Sequence, residues 1–402
     1  MTSMISRRQF AMAGAVGAAL SLAAPTAHGA EADADLPTKG DAYKPWRDWR
    51  ADATGVGALV HTAILAANAH DTQPWQFCLN GDRIDLFADE KRNLGAMDPF
   101  RREMHISLGC ALENLSLAAR AQGLAANVAV DPGSVAPPPS DTLPHRVARI
   151  TLEKAVPEAP PLFTAIPRRH TSRGAYDKSR PVAAAMIEQL RAQASPDDSV
   201  RLVLLTDPAA RQSFSEATAA ATQAIVADAP MIADSDAWFR GTDAEIEAHR
   251  DGPTIYAAGL TPFREFMAGI LPTPSAETTH GFWIDQTKDV QLATAAAFGL
   301  ITVRDLYDRE QAIRAGRLWQ RLHLQGTVLG LGMQPLNQLP EMVDRERQLG
   351  KPATTAKSLA ALTGDADGHA TFAFRLGWPV RPAPASPRRA LQSVMLPDGC
   401  RA

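Results

Sequence analysis

Two stretches of the chain repeat one another and restrict its fold more than any other feature. Residues 109–124 (GCALENLSLAARAQGL) and 316–331 (GRLWQRLHLQGTVLGL) align at one constant offset, with glycines and leucines matched at both ends. Each stretch predicts a long amphipathic helix that stops at a glycine, Gly123 or Gly330, and is followed by an apolar strand. The repeat therefore predicts two related halves, a pseudo-two-fold molecule equivalent to a fused symmetric dimer.

A polar loop lies between an apolar helical segment and a predicted hairpin. Residues 59–65 have helical apolar spacing, and residues 77–87 are strand-like with a turn at Asn80-Gly81. The loop between them carries Asn68, Ala69, His70, Asp71 and Gln73, and Pro74 and Trp75 follow. Short polar side chains beside a large flat ring suit a planar heterocycle with its own donors and acceptors. An ordinary capped helix-to-strand connection, with the tryptophan in the core, is the alternative interpretation.

Further elements follow from the same patterns. Residues 101–122 predict a helix, and residues 127–130, 147–152 and 371–376 predict strands. Residues 227–289 are rich in proline, glycine and aromatic residues, with a helix predicted at 261–271. Long connections of this kind are uncommon in compact domains and often cover sites, so we expect a lid.

The N-terminus has the pattern of a targeting segment. Arg7-Arg8 precedes an apolar run at 11–24, and small residues follow at 27–30. This pattern resembles a twin-arginine signal over residues 1–30, which predicts the twin-arginine export machinery as a partner and a periplasmic or secreted protein. The apolar run is shorter than the ~20 residues that a membrane span needs, so no stable membrane anchor is expected.

Composition excludes several classes of function. The net charge of −3 favours neither nucleic acid nor an anionic membrane as a partner. The three cysteines, Cys78, Cys110 and Cys400, are too few for a disulfide framework. Cys78 could pair with Cys110 in an oxidising compartment, but buried thiols are the preferred interpretation. No CxxC, CxxCH or HExxH pattern supports a local zinc or haem site, so no metal is expected.

A basic cluster suits a phosphate group. It contains Arg168, Arg169, His170, Thr171 and Arg173. Guanidinium groups bind phosphate oxygens through paired hydrogen bonds, and the hydroxyls can donate further bonds. Arg388 and Arg389 could close the same clamp, although an arginine pair is often only a solvated basic face.

Four segments in this order resemble the nitroreductase superfamily of flavoproteins, and within it the Acg family of FMN-binding proteins with two fused halves. They are NAHDTQPWQF at 68–77, RRHTSR at 168–173, GLGMQPLN at 330–337, and RLGW at 375–378 followed by PRR at 387–389. The resemblance implies an α+β fold of two nitroreductase-like halves, residues 45–158 and 159–402, with the lid in the second half. Each half is expected to be an antiparallel-rich sheet flanked by helices.

The resemblance also implies one FMN per chain, bound where the halves meet. Residues 68–71 and Gln73 would line one side, and the 168–173 cluster would line the other. By position in the family motif, Pro335, Leu336 and Asn337 would lie along the redox-active edge of the flavin. Arg389 would hold the phosphate, with Arg388 as the weaker candidate. Asp71 stands where relatives commonly carry Asn, and because a carboxylate only accepts hydrogen bonds, it is expected to orient His70 or an arginine.

Two functions remain open at this point. The first is an oxidoreductase that passes two electrons through flavin N5 to a quinone or nitro compound. The second is a non-catalytic protein that holds FMN under the lid. No residue is assigned as catalytic, and His70 is only a candidate proton donor. The physiological electron donor is unknown, because NADH and NADPH are cytoplasmic, and the fused halves favour a monomer.

Overall fold

Two four-stranded antiparallel sheets share one strand order. In the computed structural model, which describes residues 39–136, 145–195, 199–259, 276–365 and 367–397, the orders are β1-β2-β4-β3 and β5-β6-β8-β7. The strands are β1 (Trp75–Asn80), β2 (Arg83–Ala88), β3 (Leu124–Val130), β4 (His145–Lys154), β5 (Arg201–Leu205), β6 (Ala297–Val303), β7 (Gly332–Pro335) and β8 (His369–Gly377). The register shifts at Leu86/Phe87 between β2 and β4, and at Ile301/Thr302 between β6 and β8. The two sheets have the same strand order and a register shift between equivalent strands, so they are two copies of one unit.

Helices flank both sheets. They are α1 (Lys44–Asp48), α2 (Val56–Ala63), α3 (Arg102–Ala121), α4 (Pro161–Ala165), α5 (Ala184–Arg191), α6 (Pro208–Ala227), α7 (Ala229–Asp236), α8 (Asp243–His249), α9 (Ala276–Asp285), α10 (Arg309–Val328), α11 (Gln338–Gln348) and α12 (Thr354–Thr363). A π-helical segment, Gln286–Leu292, continues α9. The predicted α+β fold of two fused halves, each an antiparallel sheet with helices, is confirmed.

The two repeated helices, α3 and α10, pack against each other over their length. A Cβ on Gly109 would lie 2.1 Å from the carbonyl oxygen of Ile313, and a Cβ on Gly316 would lie 1.9 Å from that of Ile106. These two contacts are reciprocal, as a pseudo-two-fold axis between the helices requires. The Cα atoms of the two glycines can approach so closely only because neither residue has a side chain.

Most predicted elements are found with longer bounds. The two repeated helices end at Gly123 and Gly330, whose φ angles of 71° and 75° are left-handed, as the glycine stop signal predicts. The predicted hairpin joins β1 and β2, but Asn80 pairs with Arg83, so Gly81 and Asp82 form the two-residue turn. The predicted helix at 261–271 and the targeting segment at 1–30 lie outside the described residues.

The cysteine prediction needs a correction. Cys78 is disulfide-bonded, whereas Cys110 is a free, buried thiol, so the two do not pair with each other. Cys110 Sγ contacts the Gly316 carbonyl oxygen at 3.2 Å, which keeps it inside the packing of α3 against α10. The buried-thiol interpretation therefore holds for Cys110 and is wrong for Cys78.

Candidate functional site

The polar loop before β1 has an unusual backbone. His70, Asp71 and Gln73 have φ angles of 45°, 49° and 51°. Residues with a Cβ rarely adopt this left-handed region, which costs about 1–3 kcal/mol each and persists only where the surroundings enforce it. Such strain is concentrated at binding sites and active sites, so the loop is the first part of the candidate site.

Asn68 and helix α3 enforce this loop conformation. Gln73 N donates to Asn68 Oδ1 at 2.8 Å, and Asn68 Nδ2 donates to Asp71 Oδ1 at 3.1 Å. Ala69 N donates to Ser107 Oγ of α3 at 3.0 Å. The loop is thus closed on itself and anchored to the central helix of the first half.

Arg169 contributes a buried cation from the basic cluster. It is 2% exposed, and its Nη2 donates to the Leu65 carbonyl oxygen at 3.0 Å, directly before the loop. Its Nη1 lies 3.4 Å from His323 Nδ1. Its Nε is buried without a hydrogen-bond partner among the described residues. Burial, followed by the neighbouring charge of Arg388, lowers the pKa of Arg169 to about 9.

Arg388 reaches the same place from the C-terminal segment. It is 2% exposed, and its Nη1 donates to Asp71 Oδ1 at 2.6 Å while its Nη2 donates to the Ala66 carbonyl oxygen at 3.0 Å. The guanidinium lies over the Trp46 ring at 4.9 Å from its centroid. Arg388 Nε, like Arg169 Nε, is buried and unpartnered within the described ranges.

Arg389 has a different role in the structure. Its backbone N donates to Gln73 Oε1 at 2.8 Å, and its guanidinium donates to the Gln73 and Ser393 carbonyl oxygens at 3.2 and 2.8 Å. These bonds fasten the C-terminal segment to the loop. The sequence favoured Arg389 over Arg388 as the phosphate ligand, but it is Arg388 that lies beside Arg169.

The cluster has an excess of buried positive charge. Among the described groups, Asp71 is the carboxylate whose negative charge favours the charged forms of Arg169, Arg173 and Arg388. An uncompensated buried cation is costly, and an unpartnered buried donor adds to that cost. An anion with several acceptor oxygens would satisfy both requirements. The geometry is therefore that of an anion site.

The remaining predicted residues lie around this centre. Arg168 is exposed at the end of the turn Ile166–Arg168. Thr171 is half-buried. Pro335 ends β7, and the segment that follows is bound to β8, since Leu336 N donates to the Ala373 carbonyl oxygen and Ala373 N donates to Asn337 Oδ1, both at 2.8 Å. In the described part of the chain, no hydrogen bond joins residues 335–337 to the arginine cluster.

Both histidines of the site that the sequence predicted are neutral near pH 7. Burial, followed by the charge of Arg173, lowers the pKa of His70 to about 4, and burial with Arg169 lowers that of His170 to about 3. A neutral imidazole donates a proton poorly at this pH, so His70 is a weak candidate for a general acid.

The described parts of the insertion, residues 227–259 and 276–289, pack against both parts of the site. Ser235 Oγ lies 3.2 Å from His70 Nε2, and Gly252 N donates to the Asp71 carbonyl oxygen at 3.2 Å. On the other side, Arg173 Nη1 donates to the Ala257 carbonyl oxygen at 3.4 Å. A cleft of about 370 Å³, lined in part by Trp238 and Asp251, separates the insertion from the turns after β2.

Two residues of the site were not predicted from the sequence. Trp46 contacts His170 edge-to-face, with ring centroids 4.9 Å apart, as well as Arg388. His323, on α10, bridges Arg169 and the His170 carbonyl oxygen. A polar residue between Leu322 and Leu324 on a buried helix was a usable signal for His323, whereas nothing in the sequence around Trp46 distinguishes it.

Within the described ranges, no helix is long and apolar enough to cross a membrane. No group of three or more His, Cys, Asp or Glu side chains in that part of the chain could hold a metal ion.

Comparison with known proteins gives relatives that extend over nearly the whole chain. "Putative NAD(P)H nitroreductase Rv3131" of Mycobacterium tuberculosis is 28% identical over 351 residues, which covers 86% of this chain and 92% of that protein. "Putative NAD(P)H nitroreductase acg" of the same organism is 26% identical over 353 residues, covering 84% and 94%. No family model matches the chain. Among solved structures, the FMN-dependent nitroreductase NfnB of Mycobacterium smegmatis, in complex with NADPH, aligns with 16% identity and a TM-score of 0.37, over 58% of this chain and 97% of that one.

The two sequence relatives have one name in common, and they align with both halves of this chain. The chain is thus related to the nitroreductase superfamily. Within that superfamily it is similar to the Acg-like proteins, as the four sequence segments predicted.

Proposed function

We propose that this protein is an FMN-dependent, nitroreductase-like oxidoreductase that binds one FMN per chain where its two halves meet. The observation that carries the proposal is the pair of buried arginines, Arg169 and Arg388, whose Nε atoms lack partners beside a strained polar loop. A phosphate monoester has the charge and the acceptor oxygens that these donors require. The resemblance of the four sequence segments to the FMN-binding Acg family makes FMN the phosphate-bearing cofactor that this proposal adopts.

The chain's own residues have separate tasks in this proposal. Arg169 and Arg388 would hold the phosphate, and the backbone of residues 69–71 would lie beside the flavin ring. Pro335, Leu336 and Asn337 would line the redox-active edge. The insertion excludes water through its bonds to His70 and Asp71. When bound, FMN supplies two-electron chemistry at N5, with a quinone or nitro compound as the proposed acceptor.

Localisation and electron donor belong to the same proposal. The twin-arginine pattern at Arg7-Arg8 supports export of the protein to the periplasm or beyond. NADH and NADPH are scarce there, so a different reductant is expected to supply the electrons. Two fused halves complete a site within one chain, which favours a monomer.

A non-catalytic role in holding FMN is the second candidate function. The observation that favours it is that the insertion bonds to the loop and to Arg173, as a lid over the site would. An anaerobic experiment separates the two functions. The FMN-loaded protein is reduced with dithionite, freed of excess reductant and mixed with a quinone or a nitroaromatic compound. Rapid return of the oxidised flavin spectrum supports the oxidoreductase. A flavin that stays reduced with every acceptor contradicts it and supports FMN holding.

A further inference from the structure

Asp71 lies inside the proposed anion site and already occupies one of its arginines. Its Oδ1 is 2.6 Å from Arg388 Nη1, and the two residues are 8% and 2% exposed. The other carboxylate oxygen, Oδ2, is buried without a hydrogen-bond partner among the described residues. A carboxylate in this position accepts a hydrogen bond and balances a positive charge that a phosphate group would otherwise accept and balance.

The backbone holds Asp71 in this position. Its φ angle is 49°, a conformation that a residue with a Cβ adopts only under constraint. Asn68 Nδ2 donates to the carboxylate, and Gly252 N of the insertion donates to the Asp71 carbonyl oxygen. The carboxylate is therefore directed at Arg388 by structure from both the first half and the insertion.

We propose that Asp71 is an internal competitor for the cofactor phosphate, so that FMN binds tightly only when the Asp71 carboxylate is protonated or displaced from Arg388. The proposal rests on the proposed function. It makes Asp71 a residue that sets the affinity of the site for phosphate-bearing flavin, with no part in electron transfer. Riboflavin, which has no phosphate, does not compete with Asp71.

The surroundings of Asp71 determine the pH at which this competition ends. The titratable, charged and hydrogen-bonding groups that act on it come from every segment packed around it: Arg388, Asn68, Asp251, Arg173, Arg169 and Tyr43. Burial raises the pKa of Asp71 to about 6, against the opposing effect of Arg388. Below that pH the carboxyl group is neutral and Arg388 is available to an anion; above it the ion pair competes with phosphate.

The expected effect can be measured as an FMN affinity. A competing ionisation weakens binding tenfold for each pH unit above the pKa, which gives roughly 100-fold between pH 6 and pH 8. Apoprotein of the full chain is titrated with FMN and with riboflavin at pH 5, 6, 7 and 8, following quenching of flavin fluorescence. For the wild type, we expect the ratio of FMN affinity to riboflavin affinity to fall strongly as the pH rises.

The phosphate of FMN also titrates, with a second pKa near 6, so a variant isolates the contribution of Asp71. Asp71→Asn keeps the shape of the side chain and cannot ionise. It should bind FMN roughly 100-fold more tightly than the wild type at pH 8 and equally well at pH 5. Asp89→Asn is the matched control, because Asp89 lies 3.8 Å from Arg389 Nη1 and not beside Arg388; it should keep the wild-type pH profile.

Three results overturn the proposal. If Asp71→Asn binds FMN no more tightly than the wild type at pH 8, Asp71 does not compete with the phosphate. A wild-type ratio of FMN to riboflavin affinity that stays constant or rises between pH 7 and pH 8, where the phosphate is already largely a dianion, excludes the competition without any variant. If neither protein binds FMN at any pH, the proposed function fails, and this inference fails with it.

Discussion

Glu341 of α11 is buried where the two halves meet, close to Glu103 of α3. Both are about 95% buried, and they share their surroundings with Asp98 and Asp344 and with a single arginine, Arg102, whose Nε donates to Asp344 Oδ2 at 2.8 Å. Burial raises the pKa of Glu341 to about 8, and burial together with Glu341 raises that of Glu103. At least part of this cluster is therefore protonated at pH 7.

The raised pKa of Glu341 makes the free energy of unfolding depend on pH. Its pKa is higher in the folded state than the unfolded value of 4.5, because the buried carboxyl group is harder to ionise. The folded state is therefore most stable below about pH 4.5, and it loses stability as the pH rises to about 8. Replacing Glu341 with Gln should remove this loss. Between pH 5 and pH 8, the free energy of unfolding of the variant should fall by about 2–4 kcal/mol less than that of the wild type. Urea unfolding at several pH values measures the difference.

The exposed Glu310 on α10 provides the control for this prediction. Glu310→Gln should keep the wild-type pH profile. If Glu341→Gln shows the same pH dependence as the wild type, the buried carboxyl group is not the cause.

Arg169 allows a second prediction at the residue scale. Replacing it with Ala removes a charged donor to phosphate, which is worth about 1.5–3 kcal/mol and corresponds to a loss of FMN affinity of about 10- to 150-fold. The stability of the apoprotein should fall little, because Arg169 is a buried cation without a carboxylate of its own. Equilibrium titration with FMN and thermal unfolding measure the two effects.

Arg168→Ala is the matched control, because Arg168 is the exposed neighbour in the same motif. It should leave the FMN affinity unchanged. Equal losses in both variants would assign the effect to the general basic charge of the segment and would contradict a specific role for Arg169.

These adjacent arginines also show how far the sequence could predict the site. The loop at 68–73, the cluster at 168–173 and the pair at 388–389 were predicted to meet, and the structure brings them together. Which arginine of each pair points inward depends on tertiary contacts. The bond from Arg388 N to the Ala42 carbonyl oxygen and the bond from Arg389 N to Gln73 Oε1 fix that direction, and sequence spacing carries no information about either.

At the scale of elements, the contact between α3 and α10 is the critical packing. Gly109 and Gly316 leave no room for a Cβ. Gly109→Ala should lower the free energy of unfolding by about 1–3 kcal/mol or more, because the clashing atom is a backbone oxygen that cannot rotate away. The shift of the urea midpoint measures this loss.

Gly57→Ala on α2 is the control, because a Cβ there has no neighbour within 4 Å. Alanine is a better helix former than glycine by about 1 kcal/mol, so this variant should be as stable as the wild type or more stable. Equal destabilisation by Gly109→Ala and Gly57→Ala would mean that the close helix approach is not needed for stability.

Elements whose apolar residues follow a clear helical or alternating spacing were predictable from the sequence, and elements without such spacing were not. The amphipathic helices α3 and α10 and the hairpin of β1 and β2 followed from apolar spacing and turn residues. Strand β6 was missed because all seven of its residues are buried, so its sequence does not alternate and resembles a buried helix segment. Strand β5 pairs with β6 across the whole insertion, and no local pattern predicts a partner so distant in sequence.

At the scale of the whole molecule, two copies of one unit have become unequal. The polar loop comes from the first half, whereas Arg169 and Arg388 follow it in the chain and belong with the second. The insertion lies between β5 and β6 of the second sheet, and the matching connection in the first sheet is the turn Gly81–Asp82. A symmetric dimer would have two equivalent sites, and we propose that this chain has retained the parts of one.

The number of flavins bound per chain tests this account most directly. Purified protein is saturated with FMN, freed of excess ligand and denatured, and the released flavin is quantified by its visible absorption against the protein concentration. One FMN per chain is the predicted result. A ratio near two would show that both copies of the unit kept a complete site, and a ratio near zero at saturating FMN would show that the buried arginines serve another anion or none.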